Sequence, residues 1–234
     1  MPPVLIISRP APKGAEFAAA VTAGLGWTPR VILAPAFRVV STGADVPDAD
    51  AMIFTSVNGV MLAPAGMGRV AWCVGQATGQ AAATRGYAPM VANGDAQALV
   101  ALILADRPGG RLVHLAGAHR RGAVAETLTH AGLTCDTVVV YRQIALHPPK
   151  ALLAAAHADA PLVAPLFSPR SAGILNLPDR TAPVYVVAMS DAVAQAAAKF
   201  DPTQTLTAAH PSADGMLETT LKLFSAIWPK PGSA

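Results

Sequence analysis

Hydroxyl-bearing residues and glycines recur where an apolar run gives way to a helix-like stretch. Ser8-Arg9-Pro10 follows Val4-Leu5-Ile6-Ile7, and Thr55-Ser56-Val57-Asn58 follows Met52-Ile53-Phe54. The pattern returns at Gly75-Gln76-Ala77-Thr78, Gly117-Ala118-His119-Arg120-Arg121, Phe167-Ser168-Pro169-Arg170-Ser171, Met189-Ser190-Asp191 and His210-Pro211-Ser212. Such turns expose backbone N–H groups at the positive end of a helix dipole, where anions bind. Arg9, Lys13, Arg120, Arg121 and Arg170 add positive charge in or just after them. The ligand expected is anionic and carries several charges. Taken singly, each such residue is an ordinary helix N-cap. Gathered along one edge of each domain, the set becomes an anion site.

Tyr141 closes the apolar run Val138-Val139-Val140 and precedes Arg142. Two roles are open to it. It packs at a strand end, or its phenol donates a proton at the mouth of a cleft. Other chemistries are excluded by what is missing. The chain has no Gly-x-x-x-x-Gly-Lys-Ser/Thr loop, no Gly-x-Gly-x-x-Gly after a strand and no Gly-x-Ser-x-Gly elbow. Nucleotide phosphate sites of the first two types are therefore not expected. Its six histidines do not fall at metal-ligand spacing, and His114, inside an apolar run, reads as a satisfied core histidine. Cys73 and Cys135 lie in strand-like surroundings without Cys-x-x-Cys spacing and read as buried free thiols.

The net charge of +3 and pI near 9.1 suit a small anionic ligand. The Lys/Arg clusters of a nucleic-acid binder are absent, so no nucleic-acid partner is expected. No apolar run has membrane-spanning length, and the short run at Val4–Ile7 reads as a first strand, so the expected location is cytoplasmic.

These turns need strands and helices to hold them. With 53% hydrophobic and 5% aromatic residues, the cores must be built from Ala, Val, Leu and Ile. The chain also repeats itself. Ser168 falls 112 positions after Ser56 (168 − 56) in matching strand-turn-helix stretches. Gly132-Leu133 answers Gly24-Leu25 at an offset of 108 (132 − 24), and Val139-Val140 answers Val31-Ile32 at the same offset. The order is therefore A (about 4–36), B (52–104), A′ (112–142), B′ (163–225). Alternating strands and helices predict parallel sheets with helices on both faces. The fold class is α/β, with two flavodoxin-like halves joined by a two-stranded linker. Residues 1–36 plus 147–234 form one discontinuous domain, 39–142 the inserted one, and 36–40 with 141–146 the linker strands. No long apolar surface helix calls for a dimer, so a monomer is expected.

In this order the motifs resemble the uroporphyrinogen-III synthase family across nearly the whole chain. They are Ser8-Arg9-Pro10, Ile53 to Val60, Val74 to Thr78, Leu115-Ala116-Gly117 with Arg121-Gly122, Val140-Tyr141-Arg142, Phe167 to Ala172, Ser190 to Ala194, and Pro211-Ser212. The resemblance implies two α/β domains with the active site in the cleft, and neither a metal nor a cofactor. It implies that hydroxymethylbilane, a linear tetrapyrrole with eight carboxylates, loses water and closes to uroporphyrinogen III with its last ring, ring D, inverted. It implies a transient contact with the upstream deaminase.

By position, Tyr141 matches the tyrosine thought to help the hydroxyl leave. Thr55, Ser56, Gly75, Gln76, Ala77, Thr78, Gly117, Ser168, Ser190 and Ser212 fall on the substrate-contacting turns, and Asn58 lies beside Ser56 in the same motif. Arg9 and Arg170 join them on electrostatic grounds. Ala188 departs from the family glycine, and its Cβ is expected to restrict backbone approach. Asp191 sets a negative charge near an anionic ligand. Two rivals share these features: a non-catalytic cytoplasmic binding protein for a polyanion, and a phosphosugar or nucleotide-sugar enzyme.

Overall fold

The computed structural model describes residues 1–119, 122–177 and 179–229; Arg120 and Arg121 lie outside the described residues. The chain runs β1 (Val4–Ile7), α1 (Lys13–Leu25), β2 (Arg30–Leu33), β3 (Phe37–Ser41), β4 (Ala51–Phe54), α2 (Val57–Met61), β5 (Val70–Cys73), α3 (Gln76–Thr84), β6 (Ala88–Val91) and α4 (Ala96–Asp106). It continues through β7 (Arg111–Gly117), α5 (Val124–His130), β8 (Thr134–Ala145), α6 (Lys150–Ala156), β9 (Leu162–Leu166), α7 (Pro169–Ile174), β10 (Val184–Ala188), α8 (Asp191–Ala197), β11 (Gln204–Thr207) and α9 (Ala213–Ile227). Two compact units result. Unit 1 is Met1–Arg38 with Ala145–Ala234, and unit 2 is Val39–Ile144.

Unit 1 holds a five-stranded sheet, β11-β10-β9-β1-β2, paired in parallel throughout. β1 and β9 are uninterrupted apolar runs buried at every residue. That is how a central strand reads when helices cover both faces. Leu5, Ile7, Val163 and Val187 pack on one face with Phe17 and Phe224, while Val4, Ile6, Leu162 and Val186 pack on the other with Leu152 and Phe200. Burying each large side chain contributes about 1.5–3 kcal/mol. Gly26 stops α1 at a φ of 67°, a left-handed turn that glycine adopts at little cost. In chain order the sheet reads 2-1-3-4-5, the flavodoxin-like order.

Unit 2 holds a six-stranded sheet, β3-β8-β7-β4-β5-β6. Strands β4 to β8 pair in parallel. At β3 the Thr42 N–H donates to the Val140 carbonyl and the Leu146 N–H to the Ala36 carbonyl, each at 3.0 Å. Numbers that rise on one strand as they fall on the other make this pair antiparallel. The sequence has residues 141–145 continue in extended style past the repeat that ends at 142, and β8 runs unbroken for 12 residues. Leaving β3 aside, the order β8-β7-β4-β5-β6 matches β2-β1-β9-β10-β11. Unit 2 is thus a circular permutation of unit 1, with α4 after β6 where unit 1 has α9 after β11.

Candidate active site

In sheets of this order a ligand binds beyond the carboxyl ends of the strands, where neighbouring crossovers leave in opposite directions. In unit 2 that point lies between β4 and β7. Thr55 and Ser56 leave β4 there, and Gly117, Ala118 and His119 leave β7. A cavity of about 240 Å³ opens at this place, lined by Thr55, Ser56, Val74, Ala96, Gly117, His119 and Tyr141. Four of the residues singled out from sequence, Thr55, Ser56, Gly117 and Tyr141, therefore meet in one hollow. A larger polar recess of about 450 Å³ in unit 1 is lined by Val184, which opens β10, and by Asp179 and Arg180. It sits at the amino end of that sheet, the end this fold does not use for ligands.

Tyr141 reaches the cavity because of a backbone irregularity. On β7 and β8, Ala116 pairs with Val139 but Gly117 pairs with Tyr141. One extra residue on β8 makes a β-bulge, which re-aims the side chains that follow it. Val140 and Tyr141, neighbours in sequence, accordingly join the same core cluster with Met52, Phe54 and Leu115. Regular alternation would send them to opposite faces. Tyr141 is 7% exposed, and the Ala118 N–H donates to its carbonyl at 2.8 Å. Its ring lies over Gly117: a Cβ there would sit 2.6 Å from ring carbons and 2.9 Å from the phenol oxygen.

The hydroxyls divide into two groups. Ser56 accepts from the Asn58 N–H at 3.1 Å, Ser168 from the Ser171 N–H at 3.0 Å and Ser212 from the Gly215 N–H at 3.0 Å. Each caps its helix, and a hydroxyl oxygen so engaged keeps a further lone pair. Ser168 also donates to the Ser171 hydroxyl at 2.8 Å. Ser190 precedes α8 without capping it through its side chain.

After β5, Gly75 is half-buried and Gln76 and Ala77 are exposed, whereas Thr78 is buried within α3. The Gln76 side-chain amide donates to the Asn93 side chain at 2.8 Å. Asn58 and Arg170 are half-buried, each in the first turn of its helix. None of Asn58, Gly75, Gln76, Ala77 and Thr78 lines the cavity.

Unit 1 treats its equivalent point differently. The Arg9 guanidinium lies 4.0 Å from the centroid of Phe167, whose ring meets Phe17 edge-on at 4.9 Å. Burial lowers the Arg9 pKa from its ordinary value, and Glu16 pulls it back up. Arg9 also lines a cavity of about 300 Å³ with Lys13, Glu16 and the two residues that follow Ser212, Ala213 and Asp214. The Ala188 methyl is fully buried in the core beside Val186, so it does not crowd the following turn. Asp191 is exposed at the first position of α8, where a helix N-terminus favours a carboxylate.

Sequence reasoning gave His119, Val74 and Ala96 no role. Ala96 opens α4, and nothing in an alanine announces that the fold brings it beside the end of β7. Among the described residues, no group of three His, Cys, Asp or Glu side chains is placed to hold a metal. Nor is any helix among them long and apolar enough to cross a membrane.

A family model described as uroporphyrinogen-III synthase HemD matches residues 28–218. No curated protein matches the chain significantly. Among solved structures, it is similar to uroporphyrinogen-III synthetase from Helicobacter pylori at a TM-score of 0.63 and 14% identity, over 95% of this chain and 100% of that one. A mutant uroporphyrinogen III synthase from Thermus thermophilus gives a TM-score of 0.48 at 18% identity, over 96% and 99%. At 14% identity the first likeness speaks to the fold: two α/β domains with mainly parallel sheets.

Proposed function

The chain belongs to the uroporphyrinogen-III synthase family, and from that premise we propose that the unit 2 cavity, with Tyr141, carries the ring-closing step. The family activity is that of a cyclising lyase, which closes the linear tetrapyrrole hydroxymethylbilane to uroporphyrinogen III. The reading of a non-catalytic binding protein is not favoured beside it. The observation that supports the cavity is the meeting of Thr55, Ser56 and Gly117 with Tyr141 at the sheet's switch point.

The chemistry asks little of the protein in acid or base strength. Loss of the hydroxyl from a pyrrole-CH2-OH leaves a cation that the pyrrole itself stabilises. The Tyr141 phenol donates the proton that lets water depart. The harder task is holding a flexible chain so that it closes at the inverted ring, which is positioning work. Thr55 and Ser56 hydroxyls and nearby backbone N–H groups hold substrate carboxylates. Asn58 in the same turn, and Arg9, Gly75, Gln76, Ala77, Ser168, Arg170, Ser190 and Ser212 on the others, receive the remaining ones, while Thr78, buried in α3, supports its turn from behind. Arg9 suits such binding because its guanidinium already rests 4.0 Å from the centroid of an aromatic ring.

The substrate arrives from the upstream deaminase, by transient contact, and the protein works as a cytoplasmic monomer without a cofactor. The deciding experiment makes hydroxymethylbilane in place with that deaminase, then oxidises the products and separates their isomers by chromatography. Unaided closure gives the type I isomer. The expected result is that type III dominates only when this protein is present. Persistent type I despite demonstrable binding would overturn the catalytic reading.

A further inference from the structure

His114 is 2% exposed in the middle of β7, and its Nε2 lies 3.1 Å from the Thr55 Oγ1. Thr55 is half-buried and lines the cavity with Tyr141. Parallel pairing sets Ile53 opposite His114, so the first residue past β4 hangs its hydroxyl over the imidazole. A hydroxyl on a turn swings among rotamers unless something fixes it. Here a buried ring does so from the side away from the ligand.

We propose that His114 is a positioning residue for ring closure, acting through Thr55: it donates from Nε2–H to Oγ1 and leaves the threonine hydroxyl hydrogen to meet a substrate carboxylate. This rests on the reading of the cavity as the substrate site. The direction of the bond follows from ligand chemistry. A carboxylate only accepts, so the threonine must donate to it, and Oγ1 must then accept from the ring. The Nε2–H tautomer of neutral imidazole supplies that donor. The arrangement is a preset one. The hydroxyl is oriented before substrate arrives, so binding does not have to order it.

The test measures steady-state type III formation for the wild type, T55V, H114L, T55V/H114L and H114Q, with thermal unfolding run beside each. T55V is expected to raise KM about tenfold, the scale of one hydrogen bond to a charged group, with kcat changed by less than about twofold. H114L is expected to raise KM about threefold to tenfold. Because it acts through Thr55, the double variant is expected to be no worse than T55V alone. H114Q, whose amide can still donate, is expected to recover most of the loss. Packing damage alone would instead multiply with the T55V effect in the double variant.

Each failure is distinct. If T55V leaves KM unchanged, the cavity reading falls and this inference falls with it. If T55V raises KM but H114L does not, or if the two effects multiply, only the role of His114 is overturned. If H114L fails to fold, the wild type decides: a long-range proton–nitrogen spectrum, assigned with H114Q, reads which ring nitrogen of His114 is protonated. Nε2–H is expected, and Nδ1–H alone overturns the proposal.

Discussion

Gly117 has no side chain because Tyr141 occupies that space, with ring carbons 2.6 Å from where a Cβ would stand. The pair makes two predictions. Tyr141→Phe keeps the packing and removes the donor, so type III formation is expected to slow by about 100-fold, the lower end for a general acid. A measurable rate should remain, because the pyrrole still expels its hydroxyl. An unchanged rate would remove Tyr141 from the mechanism. Gly117→Ala keeps the phenol and displaces it. The expected cost is about 1–3 kcal/mol in stability, read by urea unfolding, with a loss of rate like that of Tyr141→Phe. If the rate survives while stability falls, the phenol need not sit where it does.

At the scale of elements, cap and contact compete for the same hydroxyls. Ser212 caps the 15-residue α9 through the Gly215 N–H. Ser212→Ala should cost about 1 kcal/mol, seen as a shifted urea midpoint. A KM for the substrate that moves as well would make Ser212 a contact; an unmoved KM would leave it a cap.

Much at this scale was legible in the chain. Val4–Ile7 reads as a strand because helices on both faces demand apolar residues at every position. Gly26 ends α1 in the left-handed turn that a glycine signals. The bulge beside Tyr141 was not legible. Val138, Val139, Val140 and Tyr141 are all apolar enough to face either side, so a one-residue slip leaves no trace in the pattern. The cavity was half legible. Thr55, Ser56, Gly117 and Tyr141 come from turns and strands that the sequence marks. His119 stood in a marked turn without a role, and Ala96 joins them only through the crossover of α4.

At the scale of the molecule, two copies of one strand order have diverged in what they hold at the switch point. Unit 2 opens a cavity over Tyr141, while unit 1 lays Arg9 on Phe167. Each copy also builds its own cores, two clusters on the faces of each sheet. Cys73 and Cys135 are both buried in unit 2, which makes the thiols reporters of that copy alone. Burial pushes Cys73 up to about 11. Burial, then Asp136 and Glu126, push Cys135 up to about 12.

The reactive form of a thiol is the thiolate, and with folded pKa values this high, only about a thousandth or less is ionised at pH 8. A disulfide reagent at pH 8 is therefore expected to label neither cysteine in the native protein and both once unit 2 unfolds. The thiolate fraction grows about tenfold with each pH unit and becomes a large share of Cys73 only near pH 11. Trp27 and Trp228 lie in unit 1 and Trp72 in unit 2, so tryptophan fluorescence is weighted towards the other copy. Separate cores predict separate transitions, since multi-domain chains depart from two-state unfolding. Thiol labelling and fluorescence, followed along one urea series, should give different midpoints. A single shared midpoint would mean that the two copies unfold as one cooperative body despite their separate cores.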